Sequence, residues 1–401
     1  MESFNLKSHI RIALLYFLII AILGTVLRLF FVVDIDLNYR HIVHAHSHIA
    51  LLGWIYTALS TLIYFCFIDA HKVSKKYQRL FWCTQLTLVG MLVSFPITGY
   101  ALFSIIFSTL FLIISYWFFG FVVKHTPQEL KAKNSFKLVK ASLWFMVLSS
   151  IGPWALGAIM NTSGSTSIWY KNAIYFYLHF QYNGWFIIAL IGLFFYILEK
   201  NQIEISKKEF NRFYLLLIWS VILTFFVSVL WTKPPMIFNA LSGVGGILQL
   251  IAVGYLYRCL KQKQNKLTTI FSPLSEHVLK VAVFLFGMKM FMQLAGAIPF
   301  VANVISIQID FAIGYLHWTF LGVVSIAILG FLRELKLIML TKRSFQLYLV
   351  GFILTELLIF YKGVSQWSQE AIMDNYYWYL AIASLVITVG ITLIFFRQIR
   401  T

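Results

Sequence analysis

Charged residues are scarce in this chain of 401 residues, since Asp, Glu, Lys and Arg together make up only 11%. With 60% hydrophobic residues and a mean hydropathy of +0.83, this scarcity excludes an ordinary soluble globular domain. The three cysteines, Cys66, Cys83 and Cys259, show no paired spacing, so we expect neither a disulfide nor a cysteine metal site. Pro-rich and low-complexity linkers are also missing. We therefore predict one transmembrane domain over residues 1–401.

Long apolar runs fill the chain instead. Each can cross a bilayer core as a helix, which needs about 20 residues at about 1.5 Å per residue. Strand-type alternation of apolar and polar residues is absent, which favours helices. We predict an all-α integral membrane protein with twelve transmembrane helices, roughly at 10–32, 43–68, 79–97, 99–123, 138–160, 172–198, 212–232, 236–257, 277–298, 309–332, 344–361 and 376–396.

The basic residues indicate the orientation of these helices. With the N-terminus inside, 26 of the 32 Lys and Arg lie on the inner side, five lie outside and Lys289 falls within a span. Because positive loops stay cytoplasmic, we predict both termini inside, in a bacterial inner (cytoplasmic) membrane. The net charge of +18 then acts in insertion and in attraction to anionic membrane lipid, and it gives no reason to expect a nucleic-acid partner.

Histidines gather at the predicted outer ends of three helices. The string HIVHAHSH, residues 41–48, opens helix 2, while His179 and His317 each lie about two turns into helices 6 and 10. The three segments thus bring imidazole to one depth, the outer third of the bilayer. Neutral imidazole binds iron, copper or zinc well, and coordination offsets the cost of burying a polar ring in lipid.

The sequences around these histidines also resemble one another. HIALLGW at 48–54, HFQYNGW at 179–185 and HWTFLG at 317–322 each place a glycine five residues after the histidine. Their separations of 131 and 138 residues are close to a third of the chain. We therefore predict three internal repeats of four helices, about 1–137, 138–270 and 271–401, in a pseudo-threefold arrangement. The glycine would let a bulky planar group or a neighbouring helix approach closely.

Helix 2 can serve two sites. At about 100° per residue, His41, His44 and His48 share a stripe, whereas His46 points about 200° away from His48. Haem suits this pattern better than a bare ion, because one or two axial imidazoles are enough to hold each macrocycle. Haem is therefore the expected cofactor.

These features resemble subunit I of the haem–copper oxidase superfamily, which includes nitric oxide reductases, and the related NnrS family. The string HSHIALLGW, residues 46–54, is similar to the His-x-His…Gly-Trp string of C-family oxidases, in which the two histidines bind different haems. The resemblance covers the twelve-helix topology, with histidines at the outer ends of helices 2, 6 and 10. It implies electron transfer or the handling of O₂ or NO, and an oxidoreductase activity if there is turnover.

The resemblance also assigns roles to residues. It makes His46 or His48, together with His317, axial ligands of haem, with b-type haem expected, and it places His179 where the family has a copper ligand. His44 is a further candidate metal ligand. Helix 7 contains no histidine, although the oxidases supply two copper ligands there, so the standard copper centre is incomplete and copper stays a possibility only. No Cys-x-x-Cys-His string is present, so an electron donor would be quinol or a separate cytochrome, alongside partner subunits.

Other polar residues lie within predicted spans. Lys289 and Glu356 fall near mid-membrane and need internal partners, so a proton path or simple pairing with polar neighbours is expected. Tyr182, with Gln181 and Asn183, can donate to a bound diatomic gas or form interhelical hydrogen bonds. Four histidines on the inner side are expected to be ordinary surface groups: His9, His71, His125 and His277.

Two other classes of protein remain open from the sequence. A twelve-helix transporter with a His-lined polar path would also have both termini inside, and it would predict helices broken at mid-membrane. A membrane di-iron enzyme uses spacings such as His44-x-x-x-His48, with several such boxes on the cytoplasmic side. The presence or absence of haem absorbance separates the first interpretation from both alternatives.

Overall fold

The computed structural model describes residues 6–263, 266–267 and 270–399. Within this part of the chain no strand is present, and twelve helices are long and apolar enough to cross a membrane, as predicted. We label these helices α1 to α12 in chain order: Leu6–Leu29, Tyr39–Phe67, Val73–Thr98, Leu102–His125, Asn134–Thr162, Ile168–Lys200, Lys207–Thr232, Ile237–Lys261, Pro273–Ala295, Ile309–Glu334, Lys342–Trp367 and Tyr376–Ile399.

Within the described residues, two short helices were not predicted. One spans Gln128–Lys131, and the other, Pro299–Ile307, lies between α9 and α10. Pro299 is the first residue of its helix, a position where the missing N–H costs nothing because no partner would be available there. Its nine residues are too few to cross a bilayer as a helix, so a search for long apolar runs does not reveal it.

The chain divides into two compact units. The first comprises Met1–Leu130 and Ile328–Thr401, and so contains α1 to α4, the end of α10, and α11 with α12. The second, Lys131–Ala327, contains α5 to α9 and most of α10. We call them unit 1 and unit 2. The division into three internal repeats remains a prediction.

Glycines set close helix contacts in unit 1. On α11, a Cβ at Gly351 would lie 2.6 Å from the backbone N of Ile387, and on α12 a Cβ at Gly390 would lie 2.7 Å from that of Tyr348. The two backbones therefore touch, as small residues allow in membrane helices. A hydrogen bond of 2.9 Å between the hydroxyls of Thr25 and Thr388 ties α12 to α1.

Unit 2 is built around an apolar cluster of α5, α6, α7 and α8, which includes Phe145, Phe180, Leu217 and Ala252. α5 is interrupted between Ser149 and Ile151, just before Pro153, whose ring removes one backbone N–H from the helix. The last turns of α7, Phe225–Thr232, tighten into 3₁₀ geometry. The two halves of α5 and the end of α7 frame the first half of α6.

The three helices that carry the predicted histidine sites are also the most buried of the described spans. In the most apolar window of α2, 89% of the residues are buried, with 83% for α6 and 67% for α10, against 28% to 50% in the other nine. A helix that is apolar all round belongs in an interior. The imidazoles of these helices are thus carried on the best-protected elements of the protein.

Candidate functional site

Each predicted histidine motif coincides with a change of helix type. His48, His179 and His317 are the last residues of α-helical segments, and π-helical segments follow them directly, at Ile49–Tyr56, Phe180–Phe186 and Trp318–Ser325. π-helical turns are rare and are found frequently at functional sites. The three motifs therefore share a backbone conformation in addition to their shared residues.

Hydroxyl groups help to satisfy the backbone where two of these π-helical segments end. Thr57 donates to the carbonyl of Leu52 at 3.4 Å, and Ser325 donates to the carbonyl of Phe320 at 2.7 Å, each reaching back five residues. A wide turn separates carbonyls from their usual donors, and a nearby side-chain hydroxyl restores a partner. Neither the histidines nor the glycines of the motif predict this arrangement.

The motif glycines make room for a neighbouring helix. A Cβ at Gly53 would lie 3.0 Å from Cγ of Tyr16 on α1, and a Cβ at Gly184 would lie 2.6 Å from Cγ of Phe145 on α5. In each case an aromatic side chain of the preceding helix occupies the space beside the glycine. Of the two groups that the spacing allows, a planar cofactor or a helix, the structure places a helix at these two glycines.

His46 faces α1. Its Nδ1 lies 3.0 Å from the carbonyl oxygen of Ile20, and its Cε1 lies 3.1 Å from where a Cβ of Gly24 would be. Because a carbonyl only accepts hydrogen bonds, Nδ1 carries the proton of the neutral ring and Nε2 keeps its lone pair. Within the described part of the chain, Nε2 makes no hydrogen bond. His46 is thus an oriented, half-buried imidazole with one nitrogen available.

His48 faces the turn between α3 and α4. Its Nδ1 donates to the carbonyl of His44 at 2.9 Å, while its Nε2 accepts from the hydroxyl of Tyr100 at 2.8 Å. The ring also packs on Phe95, with centroids 4.3 Å apart. His46 and His48 therefore point to different elements, in agreement with their predicted opposite directions. The lone pair of His48 is covered by a side chain that the sequence did not single out.

The predicted stripe of His41, His44 and His48 packs along one segment, residues 95–100. The His44 ring meets Tyr100 edge-on at 4.6 Å between centroids. His41 lies against Gly99, where a Cβ would come within 2.6 Å of its Cδ2, and Gly99 has φ +63°. A glycine is required here both by the left-handed backbone and by the contact. The stripe is thus a packing surface as well as a set of potential ligands.

His179 is buried in unit 2 with both ring nitrogens engaged. Its Nε2 donates to the carbonyl of Val221 on α7 at 2.8 Å, and its Nδ1 accepts from the amide of Asn183 at 3.2 Å. This pattern fixes the proton on Nε2 and occupies the lone pair of Nδ1. The ring therefore fits a structural hydrogen-bonding role between α6 and α7, and it does not fit copper ligation in this arrangement.

Asn183 continues the network to Lys289. The carbonyl oxygens of Asn183 and Gln293 both accept from Lys289 Nζ, and Gln293 also accepts from the Tyr315 hydroxyl at 3.4 Å. Lys289 is fully buried, and its Nζ lies 5.8 Å from the ring centroid of Tyr182. Its hydrogen-bond partners in the described residues are two neutral amides. We call His179, Asn183, Lys289 and Gln293 the buried amide cluster.

The other predicted polar residues lie around these groups. Tyr182 is buried in unit 2, with its ring centroid 6.1 Å from that of Tyr315 and 5.8 Å from Lys289 Nζ. Glu356, 1% exposed, belongs to unit 1, where the positive charge of Arg28 acts on it electrostatically. His317 is half-buried at the end of its α-helical segment. Lys289 and Tyr182 are thus brought together within one unit.

One expectation about the inner-side histidines is wrong. His9 is buried, and it stacks on Phe81 of α3 with ring centroids 3.5 Å apart and an interplanar angle of 8°. The aromatic residues at the start of α3 cover α1, a long-range contact that local sequence does not reveal. His277 is exposed as expected, His125 is half-buried, and the side chain of His71 lies outside the described residues.

In the part of the chain that the structure describes, no three His, Cys, Asp or Glu side chains gather in a way that could hold a metal ion. Axial ligation of haem needs only one or two imidazoles, and His46 has a ring nitrogen without a hydrogen bond in the described residues. No family model matches the chain, and no curated protein matches it significantly.

Proposed function

We propose that this protein is a haem-binding membrane protein in which α2 supplies axial imidazole, acting in electron transfer or in the handling of O₂ or NO. The observation that carries the proposal is His46, whose Nδ1 is tied to the Ile20 carbonyl while its Nε2 lone pair has no partner in the described residues. Ligating histidines have this arrangement, because donation of the second N–H to a carbonyl fixes the ring and raises its basicity.

His48 supports a second ligand on the opposite side of α2. Its Nδ1 is tied to the His44 carbonyl in the same way, and only the Tyr100 hydroxyl covers Nε2. Tyr100 is 52% exposed and follows a turn at Gly99, so its side chain can swing away without disturbing a core. His317, in unit 2, is proposed separately as an axial ligand of haem. The haem would be non-covalent, hence b-type, because the chain has no Cys-x-x-Cys-His string.

Bound haem supplies one-electron redox chemistry and an iron that can take a diatomic ligand. The chain's own part is to orient the imidazoles, which are half-buried near the beginnings of two of the most buried spans. Copper is not part of the proposal, because His179 uses both ring nitrogens within the protein. We propose no turnover reaction.

The wider setting is proposed with the function. We place the protein in a bacterial inner membrane with both termini inside, as a divergent relative of haem–copper oxidase subunit I, with three four-helix repeats in a pseudo-threefold arrangement. The three histidine-to-π-helix junctions support this repeat, since they coincide in sequence and in backbone conformation. Quinol or a separate cytochrome would donate electrons, and partner subunits are expected.

The test is the reduced-minus-oxidised optical spectrum of the detergent-purified full chain, with haem quantified as its pyridine haemochrome. We expect a Soret band that falls by at least half in His46→Ala. His125→Ala is the matched control, because the His125 Nδ1 also lies 2.9 Å from a backbone carbonyl, that of Phe121, but it stands at the end of α4. A colourless protein without iron, or equal haem content in both variants, would refute the proposal.

A polar transport path is the second candidate. It is favoured by the buried amide cluster, in which Lys289 is 0% exposed and donates to two amide oxygens. A polar solute would take the place of these oxygens as the acceptor of the Lys289 hydrogen bonds. A transporter would carry no haem, so the same spectrum separates the two functions. If the cluster binds a solute, Lys289→Met would abolish uptake of that solute into vesicles that contain the protein. If the first proposal holds, Lys289→Met would leave the haem spectrum unchanged.

A further inference from the structure

A small cavity lies in unit 1 where several span ends meet. Its volume is about 30 Å³, enough for about two waters on the measure that assigns 10–15 Å³ to each. Three basic residues line it, with Lys7 and Arg11 one turn apart on α1 and Lys336 on the segment between α10 and α11. Gln398, at the end of α12, completes the polar lining.

Two of the basic side chains that line this cavity, those of Arg11 and Lys336, carry their charge without a partner in the described residues. Neither side chain makes a hydrogen bond or ion pair there, and the Nε of Arg11 is buried from solvent. A buried donor without an acceptor is costly, and the cost is larger when the donor belongs to a charged group. The cavity therefore favours an anionic acceptor.

The backbone donors around the cavity are already engaged in hydrogen bonds. Lys336 has φ +58°, its N–H bonds to Arg333, and the next N–H, that of Leu337, bonds to Leu332 at 2.8 Å. The Gln398 side chain accepts from the Met339 N–H at 2.8 Å and donates to the Met339 carbonyl at 3.0 Å. An anion would consequently be held by the basic side chains and not by the loop backbone.

We propose that this cavity binds the phosphate group of an anionic membrane lipid. The cavity lies where α1 and α11 begin and where α10 and α12 end, which is the level of lipid headgroups for helices that span a bilayer. Ile10 forms an apolar part of the wall, and Met339 is 44% exposed at the same place. The phosphate of a diacyl lipid would contact the basic side chains while its acyl chains contact the apolar wall. Free phosphate would contact only the basic side chains. The inference is independent of the proposed haem site.

The experiment is native mass spectrometry of the full chain, delipidated in zwitterionic detergent and titrated with phosphatidylglycerol, phosphatidylcholine or inorganic phosphate. We expect selective binding of phosphatidylglycerol and an apparent Kd about 25-fold higher in Arg11→Gln/Lys336→Gln. Each basic group contributes about 1 kcal/mol near a membrane surface, which is about fivefold per group at 1.4 kcal/mol per tenfold. Lys76→Gln/Arg79→Gln is the control, since these residues are also basic and exposed in unit 1 but lie outside the cavity.

Two results of this titration would overturn the proposal. Equal phosphatidylglycerol binding by the cavity variant, the control and the unmodified chain would overturn the proposal. Displacement of phosphatidylglycerol by inorganic phosphate at equal concentration would assign the cavity to a soluble anion, and would also overturn the lipid as its source. The single variant Lys336→Gln, at an exposed side chain, keeps the test valid if the double variant does not fold, with an expected fivefold loss.

Discussion

The crossing of α11 and α12 provides a quantitative test of packing in unit 1. Gly351 faces Ile387, and Gly390 faces Tyr348, so each helix offers a glycine to the backbone of the other. In Gly351→Ala, the new Cβ would start 2.6 Å from the Ile387 nitrogen, whereas ordinary contacts begin at 3.4 Å. The helices must therefore separate by about 0.8 Å, the difference between these two distances, before the methyl group fits.

This separation has a cost that can be estimated. Overpacking of a tight contact costs about 1–3 kcal/mol, while Ala recovers up to about 1 kcal/mol over Gly as a helix former. We expect Gly351→Ala to lower the free energy of unfolding by up to about 3 kcal/mol. Gly120→Ala, in α4, has nothing within 4 Å of its Cβ and should be neutral or stabilising by up to about 1 kcal/mol.

Thiol labelling during thermal unfolding in detergent measures the effect. Cys66, in unit 1, is 4% exposed and becomes reactive only when the unit opens, whereas Cys83 is exposed and is first replaced in Cys83→Ser. Mass spectrometry then separates Cys66 labelling from that of Cys259. If Gly351→Ala and Gly120→Ala unfold at the same temperature, the backbone contact between α11 and α12 is not as described.

Three further outcomes are expected. His179→Ala should destabilise unit 2 by about 2–4 kcal/mol, from two lost hydrogen bonds and a buried cavity, as read by Cys259 labelling; an unchanged midpoint would contradict the contacts to Val221 and Asn183. Lys289→Met should cost about 1 kcal/mol in the same assay, because Asn183 loses a buried donor, and a stabilised variant would contradict this. Tyr100→Phe should make His48 react faster with diethyl pyrocarbonate, measured by peptide mass spectrometry, since Nε2 loses its hydrogen-bond donor; an unchanged rate would contradict the contact between these side chains.

Much of the fold follows from the sequence because lipid leaves few options. A backbone in hydrocarbon must satisfy its own hydrogen bonds, so every run of about 20 apolar residues becomes a helix. The opposite directions of His46 and His48 follow equally from helical periodicity. The burial of Lys289 was expected from its position within an apolar run, and the structure places it at 0% exposure.

Other features depend on contacts that no local pattern records. The partner of His179 is a carbonyl, that of Val221, which has no signature in the sequence. Tyr100 reaches His48 because the turn at Gly99 returns the chain to α2, and Phe81 reaches His9 through the packing of α3 on α1. A lone glycine after a helical run, such as Gly99, was the available signal for that turn.

The π-helical segments change how the three histidine helices should be aligned and engineered. A π-helical turn contains more residues than an α-helical one, so the faces before and after it are out of phase by about one residue, or about 100°. The end that carries the histidine can then keep its direction while the deeper end of the same helix changes its own. A single-residue gap beside His48, His179 or His317 in an alignment of related chains would therefore mark the gain or loss of a π-helical turn, and deleting one residue from Ile49–Tyr56 would rotate His46 and His48 together away from their present neighbours.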